Sequence, residues 1–101
     1  MASEQALQSK VIKLIEKDYN GYVVNGQFTR KGTPDLICCV NSLFVAFEVK
    51  LPTTRDTLTP IQQAHIDLIR ASNGHAYMIS STDEVKAILD DLLGVTVEME
   101  I

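Results

Sequence analysis

Asp35, Glu48 and Lys50 are the only charges between Gly32 and Lys50, in GTPDLICCVNSLFVAFEVK, a stretch otherwise apolar enough to build a buried core. Two carboxylates on an apolar face need a cation between them. The Lys50 ammonium neutralises one of them; a divalent ion satisfies both. Mg²⁺ suits such a pair, because it takes one or two carboxylates and fills its remaining positions with water and phosphate oxygens. The competing reading is a buried Asp–Lys–Glu ion network at a sheet end. Such networks stabilise poorly compared with apolar packing, which favours a functional reading.

Whether the two acids meet depends on the elements that carry them. Asp35–Val40 and Leu43–Lys50 read as two strands joined by a two-residue hairpin at Asn41-Ser42. With that loop, Val40 faces Leu43 and Asp35 falls opposite Glu48. Directly opposed side chains have Cβ atoms roughly 4.5–5.5 Å apart. Lys50, two residues on, points to the same face. A bulge in the hairpin would shift this register.

The flanking pattern is regular. Ser3 caps a helix running to about Tyr19, with Leu7, Val11, Leu14 and Ile15 as its apolar stripe and Asn20-Gly21 as its stop. Tyr22–Phe28 reads as a short strand and Pro52–Leu58 as a polar loop. Thr59-Pro60-Ile61-Gln62 opens a second helix with a cap, a proline at the first helical position and a glutamine in the capping-box slot. Its inward residues are predicted to be Ile61, His65, Leu68 and Ile69. Ala76–Ser80 follows as a strand. Thr82 is predicted to cap a third helix through Leu93, and Val95–Ile101 alternates as a half-exposed strand does. The order is αβββαβαβ, an α/β domain.

The 101 residues fit one domain, residues 1–101, with no repeat or linker. No apolar run reaches the roughly 20 residues of a membrane span, so no membrane partner is expected. MASEQALQSK lacks a signal-peptide core, which points to an intracellular, cytoplasmic protein. The adjacent Cys38 and Cys39 point to opposite strand faces and are read as two buried thiols, not a disulfide. Net charge is −4, yet it is segregated. Asp83–Ile101 holds six acids and one base, while Met1–Thr82 holds seven acids and eight bases. If acids in the larger part hold cations, its surface turns positive, which permits a phosphate partner.

Pro34-Asp35, followed after twelve intervening residues by Glu48-Val49-Lys50, resembles the PD-(D/E)XK nuclease signature. Gly32-Thr33-Pro34-Asp35-Leu36, Phe47-Glu48-Val49-Lys50 and Leu58-Thr59-Pro60-Ile61-Gln62, with Glu4 in an N-terminal helix, resemble its VRR-NUC branch over residues 3–80. The resemblance implies a restriction-endonuclease-like αβββαβ core, with a mixed central sheet flanked by helices, here followed by a C-terminal helix and strand. It implies a Mg²⁺- or Mn²⁺-dependent endodeoxyribonuclease. Asp35, Glu48 and the Val49 main-chain carbonyl would hold the metal, Glu4 would reach it through a water, and Gln62 would sit at the edge of the site. Lys50 would orient the attacking water or stabilise charge on the phosphate. Family members little larger than this domain resemble phage- or prophage-encoded Holliday-junction resolvases acting as homodimers; larger ones are associated with flap cleavage in repair. Branched DNA and a second copy of the chain are thus the implied partners, and the Val95–Ile101 strand is a candidate dimer edge.

Each of these residues also has a plainer role. Glu4 suits the first turn of a helix, where an acid meets the positive end of the dipole. Gln62 suits its capping box. Arg30, Lys31 and Arg55 are candidate DNA-phosphate contacts or solvated turn residues. His65, on the inner or boundary face of its helix, and His75, in a turn, have no partner at metal-ligand or catalytic spacing. Tyr19 and Tyr22 are read as packing or surface residues. A non-catalytic DNA-binding module that kept the fold is the rival class. A sequence-specific restriction enzyme would need more chain for base readout.

Overall fold

The computed structural model describes residues 3–27 and 29–95. Their order is α1 (Glu4–Asp18), β1 (Tyr22–Asn25), β2 (Leu36–Val40), β3 (Leu43–Val49), a 3-10 segment (Pro52–Thr57), α2 (Pro60–Ala71), β4 (His75–Ile79) and α3 (Thr82–Leu92). The strands form one mixed sheet in the order β1-β2-β3-β4. β1–β2 and β2–β3 pair antiparallel, whereas β3–β4 pair parallel through the α2 crossover. The predicted strand Val95–Ile101 lies outside the described residues, apart from Val95.

The hairpin turns through Asn41 and Ser42, both with positive φ (47° and 67°), as a two-residue turn matched to strand twist requires. Val40 pairs with Leu43 and Leu36 with Phe47, the register that the two-residue loop predicts. Alternation then sorts side chains by face. Leu36, Cys38, Val40, Val45, Phe47 and Val49 pack with Val11 and Ile15 of α1 and Val85 and Leu89 of α3. Ala46 and Ala76 meet Ile66 of α2 on the other face. The domain is a sheet between two helical layers, with the larger core under α1 and α3.

Several expectations are corrected. β1 ends at Asn25, not Phe28. The Asn25 carboxamide there accepts the Gln27 N–H (2.8 Å), turning the chain out of the strand. Phe28 itself lies outside the described residues. The α2 stripe is rotated: Ile66 is buried and Ile69 half-buried, while Ile61 (41%) and Leu68 (67%) are exposed. Two alanines form the sheet surface beneath the helix, so a single isoleucine turn fills the gap. Ser81, not Thr82, caps α3 by accepting the Glu84 N–H. His75 begins β4 instead of lying in a turn. Cys38 is buried, but Cys39 is exposed, because α2 covers β3 and β4 and leaves the β1–β2 part of that face open.

Among the described residues, no helix is long and apolar enough to cross a membrane.

Candidate active site

One end of the sheet collects Glu4, Asp35, Glu48 and Lys50, and the chain path explains why. β3 delivers Glu48, Val49 and Lys50 at its carboxyl end. The Lys50 N–H continues the ladder to the Ile79 carbonyl of β4 (2.9 Å). α3 begins at Thr82, just after β4 ends at Ile79. α1 ends at the opposite edge, where Gly21 lies against Val40, so its start at Glu4 returns to the carboxylate end. α2 also ends at the far edge, where Ile69 meets Gly74, and its first turn packs on Gly32. All three helices therefore present amino-terminal ends, the positive ends of their dipoles, toward this edge.

Asp35 precedes β2. Its main-chain carbonyl accepts the Gly26 N–H (2.8 Å), and its Oδ2 accepts the Val49 N–H (2.9 Å). That second bond reaches across to β3 and fixes the carboxylate beside Glu48. Pro34 is fully buried and anchors the approach. Gly26 is a positioning residue that the sequence reading missed, since a Cβ there would overlap the Pro34 carbonyl oxygen. A lone glycine inside the predicted Tyr22–Phe28 strand is the signal the sequence offers.

Glu48 is 4% exposed. Burial first, then its hydrogen bond with Asp35 and the Asp35 charge, push its carboxyl up to about 8 from an ordinary 4.5. Lys50 works in the opposite direction, and Glu4 adds a further upward push. Asp35, Lys50 and Glu4 thus all act electrostatically on Glu48, although they come from separate parts of the chain. Near neutral pH the acid pair holds a proton in the place a cation would take.

The donor set fits a hard divalent cation such as Mg²⁺ or Mn²⁺. It offers carboxylate oxygens, one of them already oriented by a backbone N–H, and a buried acid whose proton a metal would displace. Among the described residues, no three His, Cys, Asp or Glu side chains lie close enough to hold a metal by themselves. Two carboxylates would leave the remaining positions to water, a main-chain oxygen and substrate, as Mg²⁺ sites commonly do.

The remaining candidates separate. Gln62 lies on the half-buried flank of α2, and its Oε1 accepts the Thr59 N–H (2.9 Å), completing the capping box. Arg55 is not a free cation: its guanidinium makes a bidentate pair with Glu84 (2.8 and 3.1 Å). Glu84 also accepts the Ser80 N–H (2.9 Å), so the pair ties the 3-10 segment to the start of α3. Arg30 and Lys31 are exposed in the loop leading to Asp35, and the Lys31 carbonyl lies 3.0 Å from His65 Nε2. Tyr19 donates to Asp90 (2.6 Å) and joins α1 to α3, far from the carboxylates.

Set against family models, curated proteins and solved structures, the chain matches none of them.

Proposed function

We propose that this protein is a metal-dependent endonuclease of the PD-(D/E)XK type, VRR-NUC branch, that hydrolyses phosphodiester bonds in structured DNA. The observation that carries the reading is the buried Glu48 carboxyl set against the half-buried Asp35, whose carboxylate accepts the Val49 N–H, with Lys50 on the next pleat. An acid pair destabilised by its own charge is poor architecture for a purely structural sheet end, and good architecture for a site completed by a cation. The αβββαβ order through β4 is the arrangement that a restriction-endonuclease-like core would have.

In this reading Asp35 and Glu48 hold Mg²⁺ or Mn²⁺, together with the Val49 main-chain carbonyl. When bound, the cation supplies Lewis-acid stabilisation of the phosphate and lowers the pKa of water. The Asp35 carboxylate stays oriented by the Val49 N–H. Glu4 supplies a further acceptor at the edge of the site. Lys50 orients the nucleophile and offsets negative charge developing on the phosphoryl oxygens. Gln62, whose Oε1 already accepts the Thr59 N–H, would sit at the edge of the site in this reading. Branched DNA cut by a Holliday-junction-resolving homodimer is the substrate class of this reading, in which two-fold symmetry would supply paired cuts.

Cleavage of four-way-junction, flap and linear DNA with Mg²⁺ or Mn²⁺ tests the reading. Cutting is expected, and Asp35→Ala and Lys50→Ala should each abolish it. No cutting of any of these substrates across a range of enzyme concentrations would overturn the nuclease reading. Persistent cutting by either variant would overturn the site.

A further inference from the structure

Beside α2 lie two hollows, of about 450 Å³ and 610 Å³, that share Leu68 as a common wall. The first opens between Arg30, Lys31 and the first turns of α2, next to the loop that delivers Asp35. The second continues past Leu68 to Phe44 and His75 at the far edge of the sheet. Together they form a trough along the helix. Its exposed apolar side chains are Ile61 (41%), Leu68 (67%) and Phe44 (45%).

The charge of this trough differs from that of the whole chain. The protein carries 13 acids and a net charge of −4. Among the described residues no acid lines either hollow, whereas Arg30, Lys31, His65 and His75 do. Two hollows around α3 are instead lined by Asp18, Asp83, Asp90 and Asp91, with Lys86 as the cation of both among the described residues. A surface with cations at one end, an aromatic ring at the other and aliphatic walls between suits a polyanion that also presents flat apolar faces. Single-stranded nucleic acid has that chemistry; its bases are unstacked and able to lie on Phe44 and Leu68 while the phosphates meet Arg30 and Lys31. Paired duplex hides those base faces.

We infer that the α2 trough binds an unpaired DNA strand leading to the Asp35–Glu48 edge. The choice of DNA rests on the nuclease reading; the preference for an unpaired strand rests on the trough alone. Leu68 and Phe44 are then specificity determinants that select substrates with a single-stranded segment beside the cut.

Fluorescence anisotropy with a fluorescein-labelled 15-nucleotide DNA in EDTA, repeated with a blunt hairpin duplex, tests the inference without metal or cleavage. Leu68→Glu places a carboxylate on an exposed position, so the fold is retained, and single-strand affinity should fall at least about tenfold. Phe44→Ala should fall by several-fold, and Lys31→Ala should reduce the salt-dependence slope by about 0.7. Unchanged single-strand affinity in Leu68→Glu overturns the inference. So does an equal loss on single strand and duplex, or the loss in this variant of a concentration-dependent self-association that shows the trough to be covered by a second copy. If the chain cuts no DNA but Leu68→Glu selectively loses the single strand, the nuclease reading fails and the trough stands. If it cuts and Leu68→Glu binds normally, the reverse holds.

Discussion

Glu48→Gln should make the metal-free protein more stable above neutral pH while removing its response to metal. A glutamine side chain at this position would reproduce the shape of a protonated glutamate and could still donate to Asp35, but it carries no charge at any pH. In the wild type, Glu48 keeps its proton to about pH 8 when folded but to about 4.5 when unfolded. Between those values the folded state binds more protons at Glu48, so its contribution to stability is greatest below about pH 4.5 and declines as pH rises toward 8. At about 1.4 kcal/mol per pH unit, the loss is about 3 kcal/mol by pH 7 and about 5 kcal/mol by pH 9. Glu48 is almost fully buried, so little of this is screened by solvent. For a domain of this size, that difference corresponds to roughly 20–40 °C in melting temperature at pH 8.5. Urea titrations in EDTA at half-unit steps from pH 5.5 to 8.5 should show the wild type declining and Glu48→Gln nearly flat. Adding Mg²⁺ or Mn²⁺ at pH 8 should restore the wild type by displacing the proton and leave the variant unchanged. Parallel pH profiles for the two proteins would refute the reasoning, because they would mean that Glu48 titrates normally in the folded chain.

The same geometry makes other positions testable. Gly26→Ala should cost about 2–4 kcal/mol in urea unfolding, since its Cβ must displace the Pro34 carbonyl, and should lower kcat more than it changes KM. Glu84→Ala should lower the melting temperature more than Arg55→Ala does, because only Glu84 also satisfies the Ser80 N–H; equal effects would mean that the exposed ion pair is the whole contribution. One thiol per native chain should react with a disulfide reagent at pH 8. Cys39 is exposed, whereas burial pushes the Cys38 thiol up to about 12, and rapid reaction of both would contradict the β2 facing.

Much of the carboxylate site was legible because local rules governed it. A two-residue hairpin with strict strand alternation leaves one register, and that register brings the β2 entrance alongside the end of β3. The Thr59–Gln62 capping box was equally local, since its two hydrogen bonds close within four residues. Where prediction failed, a partner distant in sequence made the choice. The α2 stripe was read from periodicity alone, but Ala46 and Ala76 beneath the helix selected Ile66 and left Ile61 and Leu68 in solvent. Cys39 was read as buried because strands with two apolar faces are normally covered on both, yet α2 is too narrow to reach β1 and β2.

The sequence by itself determined the charges available, the hairpin that opposes Asp35 and Glu48, and the caps that start the first two helices, because each rests on contacts between near neighbours. Only the tertiary structure decided that Gly26 admits the Pro34 carbonyl, that Arg55 pairs with Glu84, and that Glu4 returns to the edge occupied by Glu48. Burial, with Asp35 beside it, decided that the Glu48 pKa is raised, since the desolvation that contributes most comes from layers of chain packed around it and not from any residue beside it in sequence.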